Sequence, residues 1–326
     1  VSMLLLHVAL AALATASVDT SRPFIRPGDE PPLITARGGK CSGDFVMVQT
    51  FNPTVHARAR IQRIIDESPR QKVFVAVHTN SEADIIAEMQ NLPQESETPL
   101  PTVVQTAMKE RFGAVGKLTN ETIMVLATSL MRSSQKELEK EMPDAVLRYS
   151  DVNILEMYPF INSIRTHDGI GQHHTVGFEF RDQAIQAALR DYFYRTGKRK
   201  WNFCHLWVIN DNLEISGKWG TFFDRYQGNN ADLLSSNRRN ISIIEHKFAT
   251  HSSSAFRALI KEDSIYEHDQ QIVRYSPRFL EALHEQANSK KVFAFSAYGT
   301  PSLAEKLGLR YGSLSLKGVT EKGSWN

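Results

Sequence analysis

The sequence predicts an α/β domain built on a mixed, mainly parallel sheet flanked by helices. Three observations carry that expectation. From Asp44 onward, strand-like apolar runs alternate with segments of helical spacing. The first three segments form a β-α-β succession, which favours parallel pairing through a crossover helix. The chain has 326 residues, 41% hydrophobic and 23% charged, the composition of a globular protein with enough apolar residues for a large core.

Taken in order, FVMVQTF reads as a strand and HARARIQRIIDES as a helix, because Ile61, Ile64 and Ile65 recur at helical spacing. KVFVAVHT is a second strand. SEADIIAEMQNL reads as a helix with Ser81 as its cap and Asp84 three residues on. PQESETPLP is a loop, TVVQTAMKERFG looks helical, and TIMVLATS fits a strand or a short buried helix. QKELEKEMPD is a charged helix stopped by Pro143, and AVLRYSD is a strand leading into ILEMYPFI.

From Phe178 to Thr196, the spacing of Phe180, Ala184, Ala187, Ala188, Tyr192 and Phe193 predicts an amphipathic helix closed by Gly197. It leads into the strand WNFCHLWVIN. A helix near WGTFFDRY, a strand at ISIIEHKF and a helix at SPRFLEALHEQA capped by Ser276 follow.

Residues 1–17 read as a signal peptide or short signal anchor, an apolar run ending in ATAS. The run is shorter than the roughly 20 apolar residues that span a bilayer comfortably, so a membrane enters only through that N-terminal anchor. Residues 18–43, rich in Pro, Gly and Arg, read as a stem or linker, and the folded domain is expected over 44–326. Two sequons, at Asn120 and Asn240, agree with a secretory route through the endoplasmic reticulum or Golgi lumen, or out of the cell.

Net charge is only +2 and the basic residues are scattered apart from Arg195 to Lys200, which argues against nucleic acid as a partner. Cys41 and Cys204 are the only cysteines, too few for a disulfide scaffold or a Cys-rich zinc site. Cys204, inside an apolar pattern, reads as core. An oxidising compartment would also permit a Cys41–Cys204 bridge.

The segment VINDNLEISGKWGTFFDRY raises the functional question. An apolar strand breaks at Asn210, Asp211 and Asn212, then meets Glu214, Gly217 and an aromatic cluster. Asn, Asp and Gly are ordinary turn residues. The same cluster would also suit a ligand site at the carboxyl edge of an α/β sheet. Trp219 reads as core or as a sugar-stacking surface. At the end of the first strand Asn52, Arg58 and Arg60 are placed to meet a nucleotide, Arg60 foremost because a guanidinium makes forked contacts to phosphate. His167, His173 and His174 lie on a Gly-rich loop and match no zinc spacing. No nucleophile elbow, phosphate-binding Gly-Lys loop, His-Glu-x-x-His or dinucleotide fingerprint is present, which sets aside the familiar hydrolases and dehydrogenases.

WVINDNLEISGKWGTFFDRYQGNNADLL resembles a pattern of GT-A-type glycosyltransferase-like proteins, with further echoes in HDQQIVRYSPRFLEALHEQ, FSAYGTPSLAEKLGL and YSDVNILEMYPFI. The resemblance implies a GT-A-like fold, a nucleotide-sugar donor and a glycan or glycoprotein acceptor. It also implies Mn²⁺ or Mg²⁺ held by Asp211 and Glu214 against the donor diphosphate. Asn52, Arg60, Asn210 and Asp211 would contact the donor. The chain departs from the pattern where an acidic triplet becomes Asn-Asp-Asn, and where Ala297 replaces an acidic residue after Ser296. Asp263, Glu267 and Asp269 are the substitutes for the missing general base. Two other readings stay open: a catalytically degenerate relative that binds a glycan or a protein, and a periplasmic-type ligand-binding receptor domain.

Overall fold

Each central strand is apolar on both faces, so each must be covered by helices on both sides. The computed structural model describes residues 41–51, 53–79, 133–161, 176–196, 202–241, 252–260 and 264–322. Seven strands make the main sheet: β1 (Phe45–Thr50), β2 (Lys72–His78), β3 (Val146–Tyr149), β4 (Leu206–Asn210), β6 (Leu233–Asn240), β7 (Tyr266–Tyr275) and β8 (Tyr311–Ser313). Their order is β3-β2-β1-β4-β7-β6-β8. β1 pairs in parallel with β2 and β4, β2 with β3, and β6 with β8. β7 is antiparallel to both neighbours, so it alone runs against the other six. This is the mixed, mainly parallel sheet expected. A small antiparallel pair, β5 (Leu213–Ile215) with β9 (Val319–Glu321), stands beside it.

Strand alternation sorts the core into two layers. Val46, Val48, Val75, Val77, Trp207 and Ile209 face one cluster with α1 (Val55–Glu67), a helix over 133–141 here called α2, and α6 (Trp219–Asp224). Phe45, Met47, Phe74, Leu147, Tyr149 and Val208 face the other. That layer holds α3 (Asp151–Met157), α4 (Val176–Glu179), α5 (Arg181–Thr196), α7 (Ser254–Leu259), α8 (Pro277–Asn288) and α9 (Ser296–Lys306).

Local chemistry fixes the helix starts. Thr54, Ser150, Ser253 and Ser276 each accept an amide from the first turn of the helix they precede, and Pro277 adds its preset φ at the start of α8. At Gly220 a Cβ would stand 2.5 Å from the Glu67 carbonyl oxygen, so glycine is what lets α6 lie against the end of α1.

Three expectations are corrected. The helix drawn from Phe178 to Thr196 is two, α4 and α5, and α5 is not amphipathic in its first half: Arg181 through Leu189 are all buried. The strand expected from Trp201 starts at Leu206, because Cys204 leaves the strand to bond Cys41, with Cα atoms 5.0 Å apart. Cys204 is therefore a bridge residue, only partly buried, and not core. The leader, the stem to residue 40, the segments from Ser81 to TIMVLATS, Asn120, the histidine loop, Gly197 and most of ISIIEHKF lie outside the described residues.

Candidate functional site at the carboxyl edge of the sheet

β1 and β4 run side by side with Gln49 opposite Asn210. The ladder continues one step beyond β4, where the amide of Asp211 donates to the Gln49 carbonyl at 3.2 Å. That step brings the Asp211 carboxylate to Thr50, whose hydroxyl donates to Oδ2 at 2.5 Å. Arg60, from α1, donates its Nε to the Asp211 carbonyl at 2.7 Å. Three elements thus converge on one acid. Burial pushes the Asp211 carboxyl up to about 6, against the opposing pull of the Thr50 hydrogen bond and the Arg60 charge.

The other sequence-derived residues separate. Asn210 ends β4 and is partly buried. Asn212 turns toward β9, donating its amide to Glu321 at 2.8 Å. Glu214 sits between Leu213 and Ile215, both packed in the core, so strand alternation turns it away from that core. Glu267 is paired with Arg239 at 2.5 Å. Asp269 lies opposite Ser236 at the start of β7 and accepts the Gln271 amide at 2.8 Å. Asn52 and Asp263 lie outside the described residues. Arg58 is engaged elsewhere, by Glu137 at 2.8 Å and Glu141 at 3.3 Å. Trp219 is buried against Phe223, which supports packing over sugar stacking.

A divalent ion such as Mg²⁺ or Mn²⁺ takes several hard oxygen donors around one point, of which the protein commonly supplies one or two carboxylates and the substrate phosphates and water the rest. Among the described residues no three of His, Cys, Asp and Glu are grouped to hold one. Asp211 has one oxygen taken by Thr50, and its neighbour Asn212 is drawn to Glu321. The described residues thus form no self-contained cation cage, and an ion held by Asp211 would take its other oxygens from the diphosphate and water.

Sequence reasoning missed a second set of groups on the same edge. Arg181, the first residue of α5, is buried and donates its Nε to Oε1 of Gln49, also buried. Tyr149 ends β3 with its hydroxyl in the interior, and His78 at the end of β2 meets the Tyr149 ring edge-on. His78 Nε2 and Asp151 Oδ1 are 2.9 Å apart, and Asp151 also accepts the amides of Val176 and Gly177 at 3.0 Å. Burial alone would raise Asp151; the His78 ring and the two amides outweigh it and hold the carboxyl below its usual value. Tyr149 and Asp151 did stand in the segment YSDVNILEMYPFI. Arg181 gave no sign, since an arginine opening a helix reads as a solvated residue.

No protein-family model matches the chain. No curated protein matches it either. Among solved structures it overlaps a galactosyltransferase, LgtC, in complex with donor and acceptor sugar analogs: 7% identity, 84% of this chain, 74% of that chain, TM-score 0.30. It overlaps mouse xyloside xylosyltransferase 1 in its apo form at 10% identity, 84% and 77% coverage and TM-score 0.32. A putative glucose-1-phosphate thymidylyltransferase from Bacillus anthracis, in complex with a sucrose, gives 9%, 86%, 89% and 0.34. Overlaps this partial decide nothing about the chemistry of this chain. Its fold is read from its own strand order, and its site from its own residues.

Proposed function

We propose that the chain binds a nucleotide-sugar donor at the carboxyl edge of its sheet and transfers the sugar to a glycan or glycoprotein acceptor. The observation that carries this reading is the fixing of Asp211 at the end of β4 by Thr50 and Arg60, at the carboxyl edge, where open α/β sheets bind ligands. The similarity of Trp207 to Leu234 to the glycosyltransferase pattern supports the nucleotide-sugar class. Arg60, Asn210 and Asp211 form the donor side, Arg60 both positioning Asp211 and offering positive charge.

In the reaction, the acceptor hydroxyl gives up its proton as its oxygen bonds to the anomeric carbon. The bond from that carbon to the diphosphate oxygen breaks, and the nucleoside diphosphate leaves with the electron pair. Asp269 is the proposed base, since Glu267 is held by Arg239 and Asp269 lies at the start of β7 on the same edge. No step here is routed through a metal ion; one would be held by Asp211 together with the donor diphosphate and would supply positive charge to the leaving group. The Cys41–Cys204 bridge supports an oxidising compartment.

The neutral Asn210 and Asn212 and the engaged Glu267 favour a second reading, a relative that binds without turnover. Nucleoside diphosphate release from a panel of nucleotide sugars, with and without glycan acceptors, separates the two. Release by the wild type that falls at least about 100-fold in Asp269→Asn supports transfer, on the scale a positioned base contributes. Binding of a donor with no release supports the second reading.

A further inference from the structure

Buried hydrogen-bonding groups without partners are rare in folded proteins, and each calls for an explanation. Among the described residues three such atoms belong to side chains that interact at the carboxyl edge, Nη2 of Arg181, Nε2 of Gln49 and the hydroxyl of Tyr149: Arg181 bonds Gln49, and the charges of Arg181 and Asp211 both act on Tyr149. Arg181 is 5% exposed, Gln49 6% and Tyr149 0%, so bulk water does not satisfy them. The contact between Arg181 Nε and Gln49 Oε1 settles which end of the amide is which. Turning the Gln49 amide over would set donor against donor, so its Nε2 is the end left over. Burial, the dominant influence, pushes the Tyr149 phenol far above its usual value, which keeps its proton on as a donor.

All three groups can therefore donate, and among the described residues none has an acceptor. Neighbouring acids do not fill the gap. Asp182, which accepts from the hydroxyls of Thr300 and Tyr275, and Asp269 both act on Arg181 through their charge, yet neither accepts a hydrogen bond from its Nη2. Asp151 is occupied by His78 and two backbone amides. A buried guanidinium nitrogen that no carboxylate oxygen hydrogen-bonds is costly even with acids acting on it by charge, and an anionic ligand that accepts from it offsets that cost. The guanidinium presents a fork suited to phosphoryl oxygens, with an amide and a phenol to reach further oxygens of the same group.

We infer that Arg181, Gln49 and Tyr149 form a binding site for a phosphoryl group, to which the guanidinium supplies positive charge directly. The inference deepens the transferase reading and rests on it only for the source of the phosphoryl group, the donor diphosphate. The competing arrangement, a metal-bridged diphosphate, is weakened where this chain has the neutral Asn210 and Asn212 in place of charged carboxylates.

The test is calorimetric titration of inorganic pyrophosphate, the uridine, guanosine, adenosine and cytidine diphosphates, and glucuronate in the presence of EDTA, repeated with Mn²⁺. The wild type is compared with Tyr149→Phe, Gln49→Leu and Arg181→Lys. Pyrophosphate is expected to bind in EDTA, with affinity reduced about tenfold or more in each variant, the scale of one hydrogen bond to a charged group. Tyr149→Phe guards against mere misfolding. It removes only an unpartnered hydroxyl, so the melting temperature without ligand should hold or rise while binding falls.

Binding that appears only with Mn²⁺ and is the same in all three variants overturns the inference while leaving the transferase reading standing. Pyrophosphate binding through Arg181 with no response to any nucleoside diphosphate upholds the inference and overturns the donor assignment. No binding of pyrophosphate under either condition, or a stronger response to glucuronate than to pyrophosphate, overturns the phosphoryl site.

Discussion

The hydroxyl of Thr50 donates to Oδ2 of Asp211 at 2.5 Å, joining residues 161 positions apart at the ends of β1 and β4. Thr50 has no exposed surface, so the hydroxyl has no competing water and serves the carboxylate alone. Thr50→Val keeps the side-chain shape and removes the donor. It is expected to destabilise the fold by about 1.5–3 kcal/mol, the range for a hydrogen bond to a charged group. Thr50→Ser should recover most of that loss. Urea unfolding of the three proteins at neutral pH measures both.

Asp182 gives the pH dependence a definite sign. Burial pushes its carboxyl up to about 6, partly countered by the Thr300 and Tyr275 hydroxyls. An unfolded aspartate titrates near 3.9, so between about pH 4 and pH 6 the native state keeps a proton that the unfolded chain has lost. This group's contribution to stability therefore falls as pH rises through that window and is flat above it. The slope is at most about 1.4 kcal/mol per pH unit. Asp182→Asn should flatten it, as read from unfolding free energies at several pH values.

The Cys41–Cys204 bridge ties the segment before β1 to the segment before β4, across 163 positions. Closing so long a loop restrains the unfolded chain strongly, and removal of such a bridge typically costs about 2–5 kcal/mol. Cys41→Ser/Cys204→Ser is expected to melt earlier than the wild type by several degrees. Dithiothreitol should bring the wild type down to the variant's melting temperature and leave the variant unchanged.

Arg274 is a buried cation whose role is structural. It donates to the carbonyls of Tyr226 at 2.8 Å and Asn229 at 2.6 Å, and it lies over the Trp207 ring. Two carbonyls on different residues need the planar fork, so Arg274→Lys should recover little of the stability lost in Arg274→Met. Thermal unfolding of both variants checks this.

What could be read from the sequence follows from where apolar periodicity was intact. β1, β2, β3 and α1 carry their pattern openly, and Ser276 with Pro277 marks the start of α8. β6 and the first half of β7 could not be read that way. Their buried positions include Ser235, Ser236 and His268, polar groups facing one another between strands, so no apolar alternation announces them. The same reason divides the site. Asp211 was visible because Asn-Asp-Asn interrupts an apolar strand, whereas Arg181 and Gln49 are polar residues buried within a helix and a strand by contacts from far along the chain.

The central claim is that the end of β4 holds a nucleotide-sugar donor through Asp211. Calorimetric titration of a panel of nucleoside diphosphates and their sugars into the wild type and Asp211→Ala tests it most directly. The account expects one nucleotide series to bind the wild type, the intact sugar donor more tightly than the diphosphate alone, with that preference lost in Asp211→Ala. Equal affinities for donor and diphosphate in both proteins, or no nucleotide binding by either, would contradict it.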